Sequence, residues 1–250
     1  MPLMAVVPDE SLTWLPGQGS PEQLVLLLHG WASEPKALAP LALALREEFP
    51  QAAVVAPMSS IAADMPRRGR QWYSIEGLTP AVWPERVAGV LPMLHDWVRE
   101  QQQLHGVGPA ATALGGFSQG AILALALATQ HDGLCGRVLA FGGCFARPPA
   151  AAPRHTTLHF FHGGADDIIV ADRARTAIAH LGALQGDATI DIAEGIGHEV
   201  HPALIDCALH RLRNHIPMRT WREALGALPA RPVDDSALPA RDDPATGDPA

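Results

Sequence analysis

Short, largely apolar runs recur along this chain and alternate with longer segments of helical period. Leu24–Leu28 is an unbroken row of large aliphatic residues ending at His29-Gly30. Ala52–Ala56, Ala110–Phe117, Arg137–Phe141, Thr157–Phe161 and Ala188–Ala193 repeat the pattern. A strand with one wet face alternates apolar and polar side chains, whereas a strand that is apolar at every position must be covered on both faces. Between these runs lie helical segments over Lys36–Phe49, Pro80–Gln103, Gly120–Gln130, Val170–Gln185 and Pro202–His215, with a short one over Trp221–Leu228. About six such strands separated by helices predict an α/β chain with a mostly parallel, doubly wound sheet in one domain. Residues 1–20 are expected to add an antiparallel edge hairpin. Pro57–Thr79 reads as a loop, and an unstructured stretch of that length inside a compact domain is usually functional.

The last residues differ in kind. Pro229–Ala250 holds five prolines and five aspartates against two arginines. That is the composition of a disordered acidic tail, which leaves residues 1–228 as the folded domain. Overall the chain is 48% hydrophobic and 18% charged, so most of it can build a core. Its net charge of -8 argues against nucleic acid or an anionic membrane surface as a main partner. Cys135, Cys144 and Cys207 include no C-x-x-C pair, which argues against a disulfide framework and a cysteine zinc site. Met1–Glu10 has neither the basic flank nor the apolar core of a signal peptide. The longest apolar runs, Ala37–Leu45 and Ala121–Ala128, fall well short of the ~20 residues of a spanning helix. The expectation is a cytoplasmic protein, monomeric or homodimeric, that does not span a membrane.

Chemistry concentrates at Gly116-Phe117-Ser118-Gln119-Gly120, a G-x-S-x-G string. It follows a predicted strand and opens a predicted helix, the context of a nucleophile elbow. Such a turn forces the serine into a strained backbone conformation, and small neighbours let the chain close around it. A serine hydroxyl is a weak nucleophile and needs a base, and the base needs an orienting acid. In this architecture the order is Ser, then Asp or Glu, then His, with both partners in loops after later strands. Asp166 or Asp167 follows the strand ending at Phe161, and His198 follows the strand ending at Ala193. His201 is the second candidate base. An oxyanion hole would use the backbone N–H of Gln119 and that of Trp31, in the loop opened by His29-Gly30. His29 is expected to brace that loop rather than react. Trp72 and Tyr73, in the long loop, are expected to line the substrate pocket. His198-Glu199-Val200-His201 is one residue short of a zinc-binding H-E-x-x-H, so neither a metal nor another cofactor is expected.

Leu28-His29-Gly30, Arg70-Gln71-Trp72-Tyr73-Ser74, Gly116-Phe117-Ser118-Gln119-Gly120, His162-Gly163-Gly164-Ala165-Asp166 and Gly197-His198 stand in the order of one family. Over roughly residues 20–225 the chain resembles the phospholipase/carboxylesterase family, which includes acyl-protein thioesterases. The resemblance implies an α/β-hydrolase fold with about six to eight strands. It implies cleavage of short-chain carboxylic esters, or of thioesters, without a cofactor. It also implies that Asp166, four residues after the histidine of H-G-x-x-D, is the acid. Two places depart from the family pattern: His29-Gly30-Trp31-Ala32-Ser33, where H-G-x-G-D is usual, and Asp167, where proline is usual. Trp31 is expected to narrow the acyl pocket. A non-catalytic binding module on the same fold is the contrasting reading, and a missing triad member would favour it. None is missing.

Overall fold

A computed structural model describes residues 6–226. The elements in chain order are β1 (Val6–Trp14), β2 (Gln23–Leu28), α1 (Ala39–Glu48), β3 (Ala52–Ser59), β4 (Ile61–Ala62), β5 (Arg70–Gln71), α2 (Trp83–His105), β6 (Thr112–Phe117), α3 (Gln119–Gln130), β7 (Arg137–Phe141), β8 (Thr157–Gly163), α4 (Ala171–Ala183), β9 (Ala188–Ala193), α5 (Pro202–Asn214) and α6 (Met218–Gly226). Seven strands form one sheet in the order β1-β3-β2-β6-β7-β8-β9. All neighbours are parallel except β1, which runs antiparallel to β3.

The alternation of side chains along β2 shows why the row of aliphatics was needed. Leu24, Leu26 and Leu28 enter the core beneath α2, α3 and α4. Val25 and Leu27 enter a second core beneath α1 and α5. Successive residues of a strand point to opposite faces, so a central strand covered on both sides needs an apolar group at every step. No helix among the described residues is long and apolar enough to cross a membrane.

The register brings the strand ends level. Leu28 lies beside Gly116, Phe117 beside Phe141, Phe141 beside Phe161, and Gly163 beside Ala193. The loops that follow β2, β6, β7, β8 and β9 therefore open on one edge. The chain passes from β2 to β3 on one side and returns to β6 on the other. The crevice beyond β2 and β6 is thus a topological switch point, where open α/β sheets bind ligands.

Three expectations need correction. The N-terminal segment is one long edge strand paired with β3, not a hairpin. The first helix begins with a 3-10 turn over Pro35–Leu38, because two prolines five apart leave the chain short of N–H donors there. The long loop is not unstructured: β3 continues to Ser59, and β4 and β5 pair as a short antiparallel ribbon. Its strands are two residues long and carry no alternation, so no periodicity marks them. The proposed boundary at residue 228 and the acidic tail lie outside the described residues.

Two of the buried histidines, His29 and His159, stay neutral. Burial pushes the His29 imidazole down to about 4 and the His159 imidazole down to about 3. In the unfolded chain both bind a proton near the ordinary value of 6.5. The unfolded state therefore holds more protons between these limits, and stability must fall as pH drops from 6.5 toward 4, by up to about 3 kcal/mol per histidine. Thermal melts across this range should show a steady loss, and His159→Leu should flatten part of the slope. A melting temperature independent of pH over that interval contradicts this.

Candidate active site

Ser118 sits between β6 and α3 with φ 53 and ψ −114, a left-handed conformation that residues with a side chain rarely adopt. The two motif glycines permit it by close approach. A Cβ on Gly120 would lie 2.0 Å from the Leu28 carbonyl oxygen, and one on Gly116 would lie 2.5 Å from the Gly120 carbonyl carbon. The turn is fixed further by hydrogen bonds from the Ser118 N–H to the Phe141 carbonyl and from the Ile122 N–H to the Ser118 carbonyl, 2.9 and 3.0 Å. The serine side chain is left partly exposed at the start of α3.

His198 Nε2 lies 2.9 Å from Ser118 Oγ. His198 Nδ1 lies 2.6 Å from Asp166 Oδ2. The carboxylate only accepts, so Nδ1 carries the proton and Nε2 presents its lone pair to the serine hydroxyl. Asp166 is buried, and its other oxygen accepts the N–H groups of Ile168 and Ile169 at 3.0 and 2.8 Å. The acid and histidine loops are stitched together by the Ala165 N–H to the Ile196 carbonyl and the Gly164 N–H to the Ala193 carbonyl, 2.9 and 2.8 Å. The Phe117 ring packs on the His198 imidazole with centroids 4.6 Å apart.

The neighbouring candidates separate cleanly. Asp167 is exposed, whereas Asp166 beside it is buried. His201 caps α5, its Nδ1 accepting the Ala203 N–H at 3.2 Å. Among the described residues no group of three or more His, Cys, Asp or Glu is placed to hold a metal ion.

The loop after β2 lies against the serine. A Cβ on Gly30 would come within 3.5 Å of Ser118 Cβ, and Trp31 follows directly. Two backbone hydrogen bonds between Ser33 and Arg70 pin this loop to the ribbon, and Trp31 Nε1 donates to Gln71 Oε1 at 2.9 Å. The indole is thus tethered sideways to the ribbon. His29 is fully buried, donating from Nδ1 to the Gly30 carbonyl while its Nε2 accepts the Ser59 N–H.

Trp72 and Tyr73 do not line the pocket. Trp72 is 0% exposed and Tyr73 6%. Gln119 draws them inward: its side-chain oxygen accepts the Trp72 N–H at 2.7 Å and its amide donates to the Tyr73 carbonyl at 2.8 Å. Trp72 Nε1 in turn donates to the His29 carbonyl, and the Tyr73 hydroxyl accepts from Trp83 Nε1. An aromatic pair in a long loop looks like a pocket wall in sequence; here it is the anchor that fastens the loop to the elbow. Two further contributors were given no role of their own in the sequence reading, His162 beside Asp166 and Asp64 between the ribbon strands. Asp64 accepts from Gln71, from the Ser74 hydroxyl and from the N–H groups of Ile75 and Glu76; desolvation pushes its carboxyl up, and these four bonds together outweigh it and hold it below its ordinary value. The i, i+4 spacing of His162 and Asp166 was the visible signal for the first. Nothing local signals the second.

A sheet of this order with its serine turn at the switch point is an α/β-hydrolase fold, and comparison with known proteins places it more narrowly. The chain belongs to the phospholipase/carboxylesterase family, whose profile matches residues 15–216. It is 38% identical over 217 residues to Esterase YpfH of Escherichia coli (strain K12), covering 87% of this chain and 92% of that protein. It is 26% identical over 177 residues to Acyl-protein thioesterase 1 of Gibberella zeae, covering 65% of this chain and 75% of that one. Among solved structures, esterase PE8 superposes with a TM-score of 0.76 at 27% identity, covering 85% of this chain and all of that one.

Trp72→Ala should act on stability rather than on substrate choice, costing about 3–5 kcal/mol as large buried aromatic truncations do. Urea unfolding measures this. A stable Trp72→Ala protein with an altered chain-length preference contradicts the anchoring role.

Proposed function

We propose that this protein is a serine carboxylesterase in which Ser118 is the nucleophile, His198 the general base and acid, and Asp166 the group that orients the imidazole. The observation that carries the reading is the unbroken relay from Ser118 Oγ through His198 to Asp166, at 2.9 and 2.6 Å. Ser118 Oγ attacks the ester carbonyl while its proton passes to His198 Nε2. Asp166 keeps the Nδ1 proton in place and stabilises the imidazolium that forms. The backbone N–H groups of Trp31 and Gln119 receive the oxyanion, each worth about 3 kcal/mol in the transition state. The Gln119 N–H belongs to the first turn of α3, where backbone donors have no intrahelical acceptor. The tetrahedral adduct collapses, the C–O bond to the leaving group breaks, and His198 returns its proton to the departing alcohol. Water then attacks the acyl-enzyme, gives its proton to His198, and the acid leaves as Ser118 is restored.

The proposed substrates are small, short-chain esters; no metal or cofactor takes part in the steps. Thioesters are the second class. The same steps expel a thiol, and the similarity to an acyl-protein thioesterase favours including them.

A ladder of p-nitrophenyl esters and matched thioesters of increasing chain length tests the substrate class, with the shortest esters expected to be cleaved most efficiently. Ser118→Ala should lower kcat by on the order of 10⁴-fold or more. A folded Ser118→Ala protein that cleaves p-nitrophenyl acetate at the wild-type rate contradicts the mechanism.

A further inference from the structure

Asp166 touches a second histidine. His162, at the end of β8, is fully buried, and its Nε2 lies 3.3 Å from Asp166 Oδ2, the same oxygen that holds His198. The same Nε2 faces the Ile169 carbonyl in a short hydrogen bond. A carbonyl only accepts, so Nε2 carries the proton and gives it to Ile169, with the carboxylate close beside it. Nδ1 is buried with no hydrogen-bond partner. A proton there would be an unpaired donor in the core, which costs far more than a bare lone pair. The site therefore holds His162 as the neutral Nε2–H tautomer.

This geometry links His162 to Asp166 through one peptide. The Ile169 peptide gives its N–H to Asp166 Oδ1 and its carbonyl to His162. Asp166 thus receives three donors, from Ile168, Ile169 and His198, and His162 bears on it through the Ile169 peptide. Because the His162 Nε2–H is a neutral donor, it holds the Ile169 peptide, and through it the carboxylate, without placing a second cation beside Asp166. We propose that His162 is a positioning residue, which clamps Asp166 and the 166–169 turn so that Oδ2 stays aimed at His198. This rests on Asp166 being the acid of the proposed mechanism.

The test compares His162→Leu, which removes the donor, with His162→Gln, which keeps an N–H, each normalised to the sites titrated by a fluorophosphonate. His162→Leu should lower kcat by about 10–10²-fold with KM within about twofold, the usual cost of loosening a reacting geometry. It should also weaken or abolish the far-downfield proton resonance of the short His198–Asp166 hydrogen bond. His162→Gln should recover most of both. A His162→Leu protein with the wild-type kcat and resonance overturns the proposal, as do Leu and Gln variants that lose the same amount. Nitrogen NMR of the wild-type protein decides the matter without a variant that must fold: a protonated Nδ1 on His162 overturns it. Asp166→Asn separates this from the mechanism itself. If that change abolishes turnover while His162→Leu keeps the wild-type kcat, the clamp fails and the triad stands; if Asp166→Asn is fully active, the triad fails.

Discussion

The site depends on how closely α3 approaches the end of β2. The first turn of the helix lies on the Leu28 carbonyl so tightly that only a glycine fits at position 120. That contact fixes where α3 begins, and so holds Ser118 at a positive φ that costs on the order of 1–3 kcal/mol unless the surroundings over-determine it. The surroundings do so from three sides: Gly116 below, the Phe141 carbonyl on the Ser118 N–H, and the Leu- and Ala-rich helix packed on the sheet. The strain keeps the hydroxyl at the lip of the crevice instead of inside the helix.

From this contact a buried polar network runs outward. Gln119, next to the serine, grips the backbone of Trp72 and Tyr73. Trp72 grips the carbonyl of His29, and His29 grips Gly30 and Ser59. The elbow, the loop that carries Trp31 and the ribbon are thereby one connected body. His29 has to stay neutral for this, because its Nε2 accepts a hydrogen bond, and burial pushes its imidazole down to about 4. A second tie, between the loops after β8 and β9, sets His198 against the serine. The two halves of the site are therefore positioned by different loops and meet at Ser118 and Phe117.

Much of this was legible in the chain. The two-sided burial of Leu24–Leu28 follows from its composition, and the elbow follows from spacing plus its place between a strand and a helix. The order of Ser118, Asp166 and His198 placed three residues that the fold brings within hydrogen-bonding reach. What resisted reading was tertiary. Trp72 looks the same in sequence whether it faces a ligand or a carbonyl, and only the Gln119 clamp decides. Asp64 organises the ribbon through four donors contributed by later residues, with no periodic pattern to announce it. The edge strand pairs with β3, an element about forty residues distant, rather than with its own neighbour.

The account turns on a covalent bond to one oxygen. Rapid acid quenching of the protein with excess p-nitrophenyl acetate, followed by peptide mass spectrometry, examines it directly. The mechanism predicts an acetyl group on Ser118, formed in a burst of one equivalent of p-nitrophenol per active site if deacylation is the slower step. Turnover without any acyl adduct under conditions where the adduct would accumulate, or an adduct carried by another residue that turns over at the catalytic rate, contradicts it.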